Sequence, residues 1–374
     1  MVDKKILMLV RTSGLEYDDR IRKEILSLNK LGYTVEVLAN YTSNKHEKGL
    51  TSYGTQYNVF KLYTRELLPS ARLLPVKMFE FWLRVFINTF FKKYEYVWLH
   101  EEYMFLNAII KPVKAKYILD LHELPNLILK QKNGLKLYNR IEKNVFIIIV
   151  ANEQRLSYMK IEGIVSCPQK YVVLNNFPDN IFGSINKESL PQKINEFLDG
   201  SDYVLLQGGG HISRFPDVVL KAVSKTKKYK IIIVGPIDPK IEALIDTSYK
   251  NMVFKAGYVP QLQLPLFFDH AKFTIILYDS NDPNSLYCEP NRLYQAIIRG
   301  IPVIVGSNPP MKRIVNDEKI GLVLQTDGRD TDDIHSAILS MEENLNIYKK
   351  NVLNISSKYK WEMQEDKIRQ IVNQ

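Results

Sequence analysis

The sequence predicts an α/β protein built from two doubly wound, parallel-sheet domains. Three observations carry this expectation. The chain has 374 residues, too many for one ordinary domain and in the range of two. In each half, short apolar runs alternate with stretches of helical periodicity, the pattern of successive βαβ units. Between the halves, residues 177–202 are rich in Asn, Ser, Pro and charge and hold no strand-like run.

The first half opens with a short apolar run over 5–10, read as a buried strand. Residues 19–31 place Ile21, Ile25, Leu28 and Leu31 at helical spacing, and Gly32 follows where a C-terminal cap belongs. Further strands are expected at 34–39, 96–99, 117–121, 146–151 and 171–175. The second half repeats the rhythm with strands at 203–207, 231–235, 253–255, 273–278, 302–305 and 321–324. The expected domains are 1–176 and 203–358, joined by a linker over 177–202, with 359–374 as a C-terminal helix crossing back to the first domain. In doubly wound sheets ligands bind beyond the carboxyl ends of the strands. The loops after each strand are therefore where function is to be sought, and a cleft between the two domains is the expected ligand seat.

Composition narrows the function classes. Hydrophobic residues make up 45% and charged residues 25%, the balance of a globular protein with a real core. Cys167 and Cys288 stand far apart without His or Cys partners at metal spacing, so neither a disulfide framework nor a zinc site is expected. The opening apolar run is too short for a signal peptide, and no stretch reaches membrane-spanning length. A reducing cytoplasmic setting is the expectation. Residues 1–176 hold 27 Lys/Arg against 17 Asp/Glu, whereas 177–374 hold 24 of each, so all of the +10 net charge lies in the first half. A basic half suits an anionic membrane or a phosphorylated substrate, or is simply solubility charge; nucleic acid is not expected, because no recognition motif accompanies it. Neither a G-x-G-x-x-G fingerprint nor a P-loop is present, which removes support for dehydrogenase and ATPase readings.

Four loops carry candidate chemistry. After the first strand, Arg11-Thr12-Ser13-Gly14 leads toward a helix start, and Gly14 permits close approach of a phosphate or sugar. The same stretch also reads as an ordinary turn with Asp18 or Asp19 as helix cap. Asp120-Leu121-His122-Glu123-Leu124 places an imidazole between two carboxylates directly after a strand. Gln207-Gly208-Gly209-Gly210 runs through His211 and Arg214 to a helix opening near Pro216, a combination of glycines, cation and helix start that suits a phosphate. Finally, Glu289-Pro290-Asn291-Arg292-Leu293-Tyr294-Gln295 opens a helix that Gly300 stops before the apolar run Ile301-Pro302-Val303-Ile304-Val305. There Arg292 is the cation, and Glu289 or Gln295 are acceptors for ribose hydroxyls. Asp279 and Asp282 have the wrong spacing for a metal-binding D-x-D motif and read as loop or capping residues.

This last passage resembles the signature of the family 4 retaining glycosyltransferases of GT-B fold, also called glycosyl transferases group 1. Asp18–Glu24 with Leu31–Val35, Asp120–Leu124, Ile231–Gly235, Ala256–Tyr258 and Trp361–Glu365 resemble other pieces of the family in the expected order. The resemblance implies two Rossmann-like domains facing across a cleft. It also implies transfer of a sugar from a nucleotide-sugar donor to a glycan, lipid-linked or protein-linked acceptor. By the same resemblance, transfer retains anomeric configuration, needs no cofactor or essential metal, and serves surface polysaccharide or glycoconjugate synthesis. His122, Arg214 and Arg292 would be catalytic, with the two arginines neutralising the leaving diphosphate. Ser13, Gly14, Gly209, Gly210, Gly235, Tyr258, Glu289, Asn291, Leu293 and Gln295 would join both arginines around the donor. Asp19, His122 and Glu123 would face the acceptor. Two departures stand out. Gln295 occupies the place of the ribose-binding Glu, with Tyr287 at the first acidic position. Gly209 stands where an Arg is frequent. Gln295 keeps open a non-catalytic GT-B-like subunit, and the fold keeps open a sugar-nucleotide epimerase.

Residues 72–98 combine helical periodicity with Phe, Trp, Lys and Arg. They read either as a core helix of the first domain or as an interfacial helix that docks peripherally on an anionic membrane.

Overall fold

A computed structural model describes residues 4–68, 73–185 and 188–373; Arg72, the first residue of the basic aromatic segment, lies outside the described residues. The chain forms two compact units, one comprising residues 1–175 with 364–374, the other 176–363.

The first unit is built on β1 Lys5–Thr12, β2 Thr34–Tyr41, β3 Glu47–Leu50, β4 Gln56–Val59, β5 Tyr96–His100, β6 Lys116–Leu121, β7 Ile147–Val150 and β8 Tyr171–Val173. Their order in the sheet is β3-β4-β2-β1-β5-β6-β7-β8. All neighbours are parallel except the β3–β4 pair at one edge. Ile6 to Val10 of β1 are wholly buried, as expected of a central strand covered on both faces. The helix Asp19–Lys30 returns the chain to β2. Asp18 caps its start by accepting from the Ile21 amide at 3.4 Å. At its end Gly32, with φ +83°, lets the Tyr33 amide reach back to the Leu28 carbonyl at 3.1 Å. The sequence order reverses between β1 and β5, which puts this unit's switch point at the loops after those two strands.

The second unit contains β9 Tyr203–Gln207, β10 Lys230–Val234, β11 Val253–Gly257, β12 Phe273–Ile276, β13 Val303–Val305 and β14 Gly321–Val323. They form one parallel sheet of order β11-β10-β9-β12-β13-β14. Its switch point lies between β9 and β12.

Residues 177–202, expected as a linker, are folded into the second unit. They form the short helices Asn180–Ser184 and Gln192–Leu198, and they bury Phe177, Phe182, Leu190, Ile194 and Leu198 in its core. Arg299 fixes this segment, donating to the carbonyls of Phe182, Gly183 and Ile185 while paired with Asp269 at 2.5 Å. The apolar positions are too sparse to show a period, so composition alone gave them a linker's appearance.

The chain leaves the second unit at Trp361, whose amide donates to the Pro178 carbonyl at 2.8 Å. It then adds the helix Glu365–Asn373 to the first unit. Ile368, Ile371 and Val372 are buried there, and the hydroxyls of Tyr33 and Tyr96 donate to the Val372 carbonyl at 3.3 and 2.8 Å. Burying three aliphatic side chains is worth about 1.5–3 kcal/mol each, comparable with the whole stability of a domain. Removal of residues 364–374 is therefore expected to unfold the first unit selectively. Limited proteolysis of the truncated chain should then cut within 4–175 while sparing 176–363.

Candidate functional site

In the first unit, parallel strands deliver a chain of charged groups to the carboxyl end of the sheet. Arg20, on the first helix, donates to both carboxylate oxygens of Asp120 on β6, at 2.9 and 2.7 Å. Its remaining Nη reaches the Leu174 carbonyl at 3.1 Å. Asp120 Oδ2 also lies 3.2 Å from His122 Nε2, and His122 Nδ1 lies 3.3 Å from Glu101. The backbone carbonyl of His122 accepts from Arg155. Behind them, His100 Nδ1 is 3.4 Å from His122 Nε2.

The electrostatics sort these groups. Burial alone would lower the pKa of His122, but Asp120 and Glu101 more than offset it, and the net shift is upward. Burial drives His100 the other way, to about 3, so that ring is neutral. Burial also lifts the Glu101 carboxyl to about 7 despite the opposing charge of His122. His122 and Glu101 are each about a quarter exposed, while Asp120, Arg20 and His100 are buried. Glu101 occupies φ +67°, a left-handed conformation that costs a side-chain-bearing residue of order 1–3 kcal/mol. His122 and Glu101 thus form an accessible proton-holding pair fixed from behind by Asp120 and Arg20. His100, Asp120 and His122 also place one ligand atom each within 4.8 Å of one another. The Arg20 guanidinium already occupies both Asp120 oxygens, which opposes a dication there.

In the second unit, the loop after β9 is shaped by glycines that tolerate no side chain. A Cβ on Gly210 would meet the Pro236 carbonyl oxygen at 2.7 Å, and one on Gly208 would strike Arg214. Gly208 has φ +58° and packs against Gly235 of the next loop. Arg214 folds back so that its guanidinium donates to the Gly208 carbonyl. Arg292, from the first turn of the helix Asn291–Ile298, donates to the Gln207 carbonyl at 2.6 Å. Both guanidiniums lie over the ring of Tyr278, the residue following Leu277 after β12, at 5.1 and 4.5 Å. The Asp279 amide donates to the Ser213 carbonyl at 3.0 Å, tying the loops together across the switch point.

Neither arginine is paired with a carboxylate among the described residues, and Nε and one Nη of the buried Arg292 have no hydrogen-bond partner. Burial and then the charge of Arg292 lower the Arg214 pKa, the mark of two cations crowded together. Gln295 Oε1 and Gln207 Oε1 are likewise buried without partners. Two repelling cations with unsatisfied donors, at the switch point of a parallel sheet, form a seat for an anion of multiple charge.

The structure places the other expected residues unequally. Gly235 shares the arginine site, and Gly209 and Gly210 shape its loop. Asn291 is exposed at the helix start. The Glu289 carboxylate accepts from the Tyr294 hydroxyl at 2.5 Å and pairs with Arg313 at 3.4 Å. Leu293 is wholly in the core, its amide bonded to the Pro290 carbonyl. Tyr258 is largely exposed beyond β11. In the first unit, Ser13 is exposed and Gly14 buried beside Tyr17. Glu123 points to solvent, so Glu101, not Glu123, supplies the second carboxylate to His122. Asp19 is committed to Arg22 and Lys23, each at 2.7 Å. Asp282 caps a short helix and Asp279 pairs with Arg329, the structural roles expected of them. Sequence reasoning missed Tyr278 and Glu101, although Tyr278 ends the strand expected at 273–278 and Glu101 directly follows the observed strand Tyr96–His100.

No protein-family model matches the sequence, and no curated protein matches it by sequence. Solved structures do match. A sucrose-phosphate synthase from Thermosynechococcus elongatus superposes with TM-score 0.76 at 14% identity, over 99% of this chain and 98% of that one. The Anabaena protein HepE in complex with UDP and glucose gives 0.74 at 14% identity, over 99% of each chain. WaaG, a glycosyltransferase involved in lipopolysaccharide biosynthesis, gives 0.68 at 12% identity, over 98% and 99%. The chain has the GT-B fold of these proteins.

The buried cluster makes a sharp stability prediction. Arg20 spends its Nε hydrogen on Asp120, so Glu24, 3.0 Å away, is left with no hydrogen-bond partner of its own. Burial, then the Asp120 charge, raise its pKa well above 4.5. A raised folded-state pKa favours the native protein while the carboxyl is protonated, and this contribution is lost as pH rises past the unfolded value. Glu24→Gln should therefore gain stability relative to wild type as pH increases from about 4.5. Arg20→Leu, which strands two buried carboxylates, should lose about 3–5 kcal/mol. Urea midpoints across pH measure both, and a constant difference between Glu24→Gln and wild type would refute the assignment.

Proposed function

We propose that this chain is a glycosyltransferase that takes a sugar from a nucleoside-diphosphate sugar, with the diphosphate held by Arg214 and Arg292. The observation that carries the reading is the pair of guanidiniums over Tyr278, Arg292 buried and Arg214 partly so, with no carboxylate among the described residues paired to either. A diphosphate supplies the charge and the forked acceptors that such a pair lacks. The likeness to HepE, solved in complex with UDP and with UDP-glucose, favours a UDP-sugar. Amides at the start of the helix Asn291–Ile298 add a positive end beside the phosphates. Gln295 and Gln207, each with a buried unpartnered oxygen, are suited to accept from ribose hydroxyls.

In the proposed reaction the bond from the anomeric carbon to the diphosphate breaks, with its electron pair leaving on the phosphate oxygen. An acceptor hydroxyl attacks the same face, and its proton passes to that oxygen, so configuration is retained. The arginines stabilise the charge that develops on the leaving group, and alignment does the rest. His122 and Glu101 orient the acceptor hydroxyl at the carboxyl end of the first sheet. The proposed role lies in surface polysaccharide or glycoconjugate assembly, on the cytoplasmic side of a membrane that the protein meets peripherally. No helix among the described residues is long and apolar enough to cross a membrane.

Arg292→Met tests the reading. Each charge-assisted hydrogen bond lost is worth about 1.5–3 kcal/mol, so UDP affinity should fall by at least tenfold. The ligand-free protein should melt no lower than wild type, because a like-charge contact is relieved. Calorimetric titration with UDP beside thermal melts checks both. Unchanged UDP binding in this variant would remove the proposed donor site.

A further inference from the structure

Two cavities adjoin in the first unit, and their chemistries are opposite. One, of about 380 Å³, is lined by Arg11, Asn40, Arg65, Lys77 and Tyr103. The other, of about 560 Å³, is lined chiefly by Pro75, Phe105, Leu106, Ile109 and Ile128. Leu74, Met78 and Leu127 belong to the walls of both, so the two spaces lie side by side along these three side chains. We infer that together they bind an amphiphile with a phosphate head and a hydrocarbon tail, the lipid part of an acceptor whose hydroxyl receives the sugar in the transfer proposed above; its role as acceptor rests on that reading.

The basic cavity is built to receive an anion. Arg11 is stacked on Tyr103 at 3.7 Å, and Arg65 is anchored by donating to the Tyr41 carbonyl at 2.5 Å. Neither guanidinium is paired with a carboxylate among the described residues. The charge of Arg11 adds to burial in lowering the pKa of Arg65, so the two cations work against each other until an anion sits between them. Rigid stacking and a backbone anchor keep them in place meanwhile. The one acid among the described residues of the apolar wall, Glu102, is turned to the amides of Leu127 and Ile128 at 3.0 and 3.2 Å. It is therefore satisfied without a ligand cation.

The helix Leu74–Thr89 connects these cavities to a lipid source. Its inner residues Leu74, Lys77 and Met78 line them, while Val76, Phe79, Leu83 and Ile87 stand exposed along another face. Phe79, Trp82 and Phe86 stack in sequence at 5.7 Å spacings and continue edge-to-face into Phe90. An outward aromatic face of this kind suits the interface of a bilayer, from which an amphiphile can enter the cavities without crossing water.

Farnesyl phosphate, farnesol and inorganic phosphate are the probes, titrated calorimetrically into the full chain. Farnesyl phosphate should bind at least tenfold more tightly than either farnesol or inorganic phosphate. Arg65→Ala, at the head, and Leu106→Gln, at the tail, should each weaken it at least tenfold while the UDP-induced thermal shift is kept, which also shows that the variants are folded. Inorganic phosphate binding as well as farnesyl phosphate would overturn the tail site, and Arg65→Ala binding like wild type would overturn the head site. Loss of farnesyl phosphate binding with UDP binding intact counts against this inference alone. Failure of the wild-type chain to bind UDP counts against the transferase reading instead.

Discussion

Two arginines held over one tyrosine ring, with no acid among the described residues to balance them, are the constraint around which the second unit is organised. Like charges brought together under partial burial are costly. They persist here because backbone does the holding: carbonyls of Gln207 and Gly208 accept from the guanidiniums, and Tyr278 offers its ring face. That arrangement requires the β9 loop to approach closely. Gly210 sits where any Cβ would collide with the Pro236 carbonyl, and Gly208 where one would strike Arg214. The glycine run, the cation and the helix start are thus one device seen from three sides.

The first unit treats the corresponding place in its sheet differently. Its buried arginine is fully compensated, since Arg20 is locked to Asp120 with Glu24 close by. What reaches the surface from that network is a His122–Glu101 pair of tuned proton affinity, with no net cation to capture a phosphate. Parallel sheets gather loops at one end in both units, but the charge left over decides what each end can do. The Arg214–Arg292 pair is suited to hold a multiply charged anion, the His122–Glu101 pair to hold and orient a hydroxyl.

Much of this was legible in the sequence. Strands buried on both faces read as apolar runs, and all twelve of the expected strands, from Lys5 of β1 to Val323 of β14, needed only that signal. Glu47–Leu50 and Gln56–Val59 escaped because both are short and largely polar, the first mostly exposed at the sheet edge and the second paired beside it. Arg214 and Arg292 were legible because each stands beside a helix start after a strand. Tyr278 and Glu101 were not, because their roles depend on which strands become neighbours. The helices inside 177–202 were hidden for a related reason: their apolar residues meet partners distant in sequence and leave no local pattern.

The segment 72–98 shows the same limit. Periodicity could not choose between a core helix and an interfacial one, since both need an apolar stripe. The helix Leu74–Thr89 carries two. Phe81, Val85 and Thr89 are buried at intervals of four, against the sheet, while Phe79, Leu83 and Ile87 repeat the interval in solvent. A helix whose only task was to complete a core would keep its second face polar, because exposed aromatics risk association and contribute nothing to the fold. This helix also walls a basic cavity and an apolar one. The buried stripe is what a core helix requires, and the exposed stripe is the surface from which the proposed entry of an amphiphile starts.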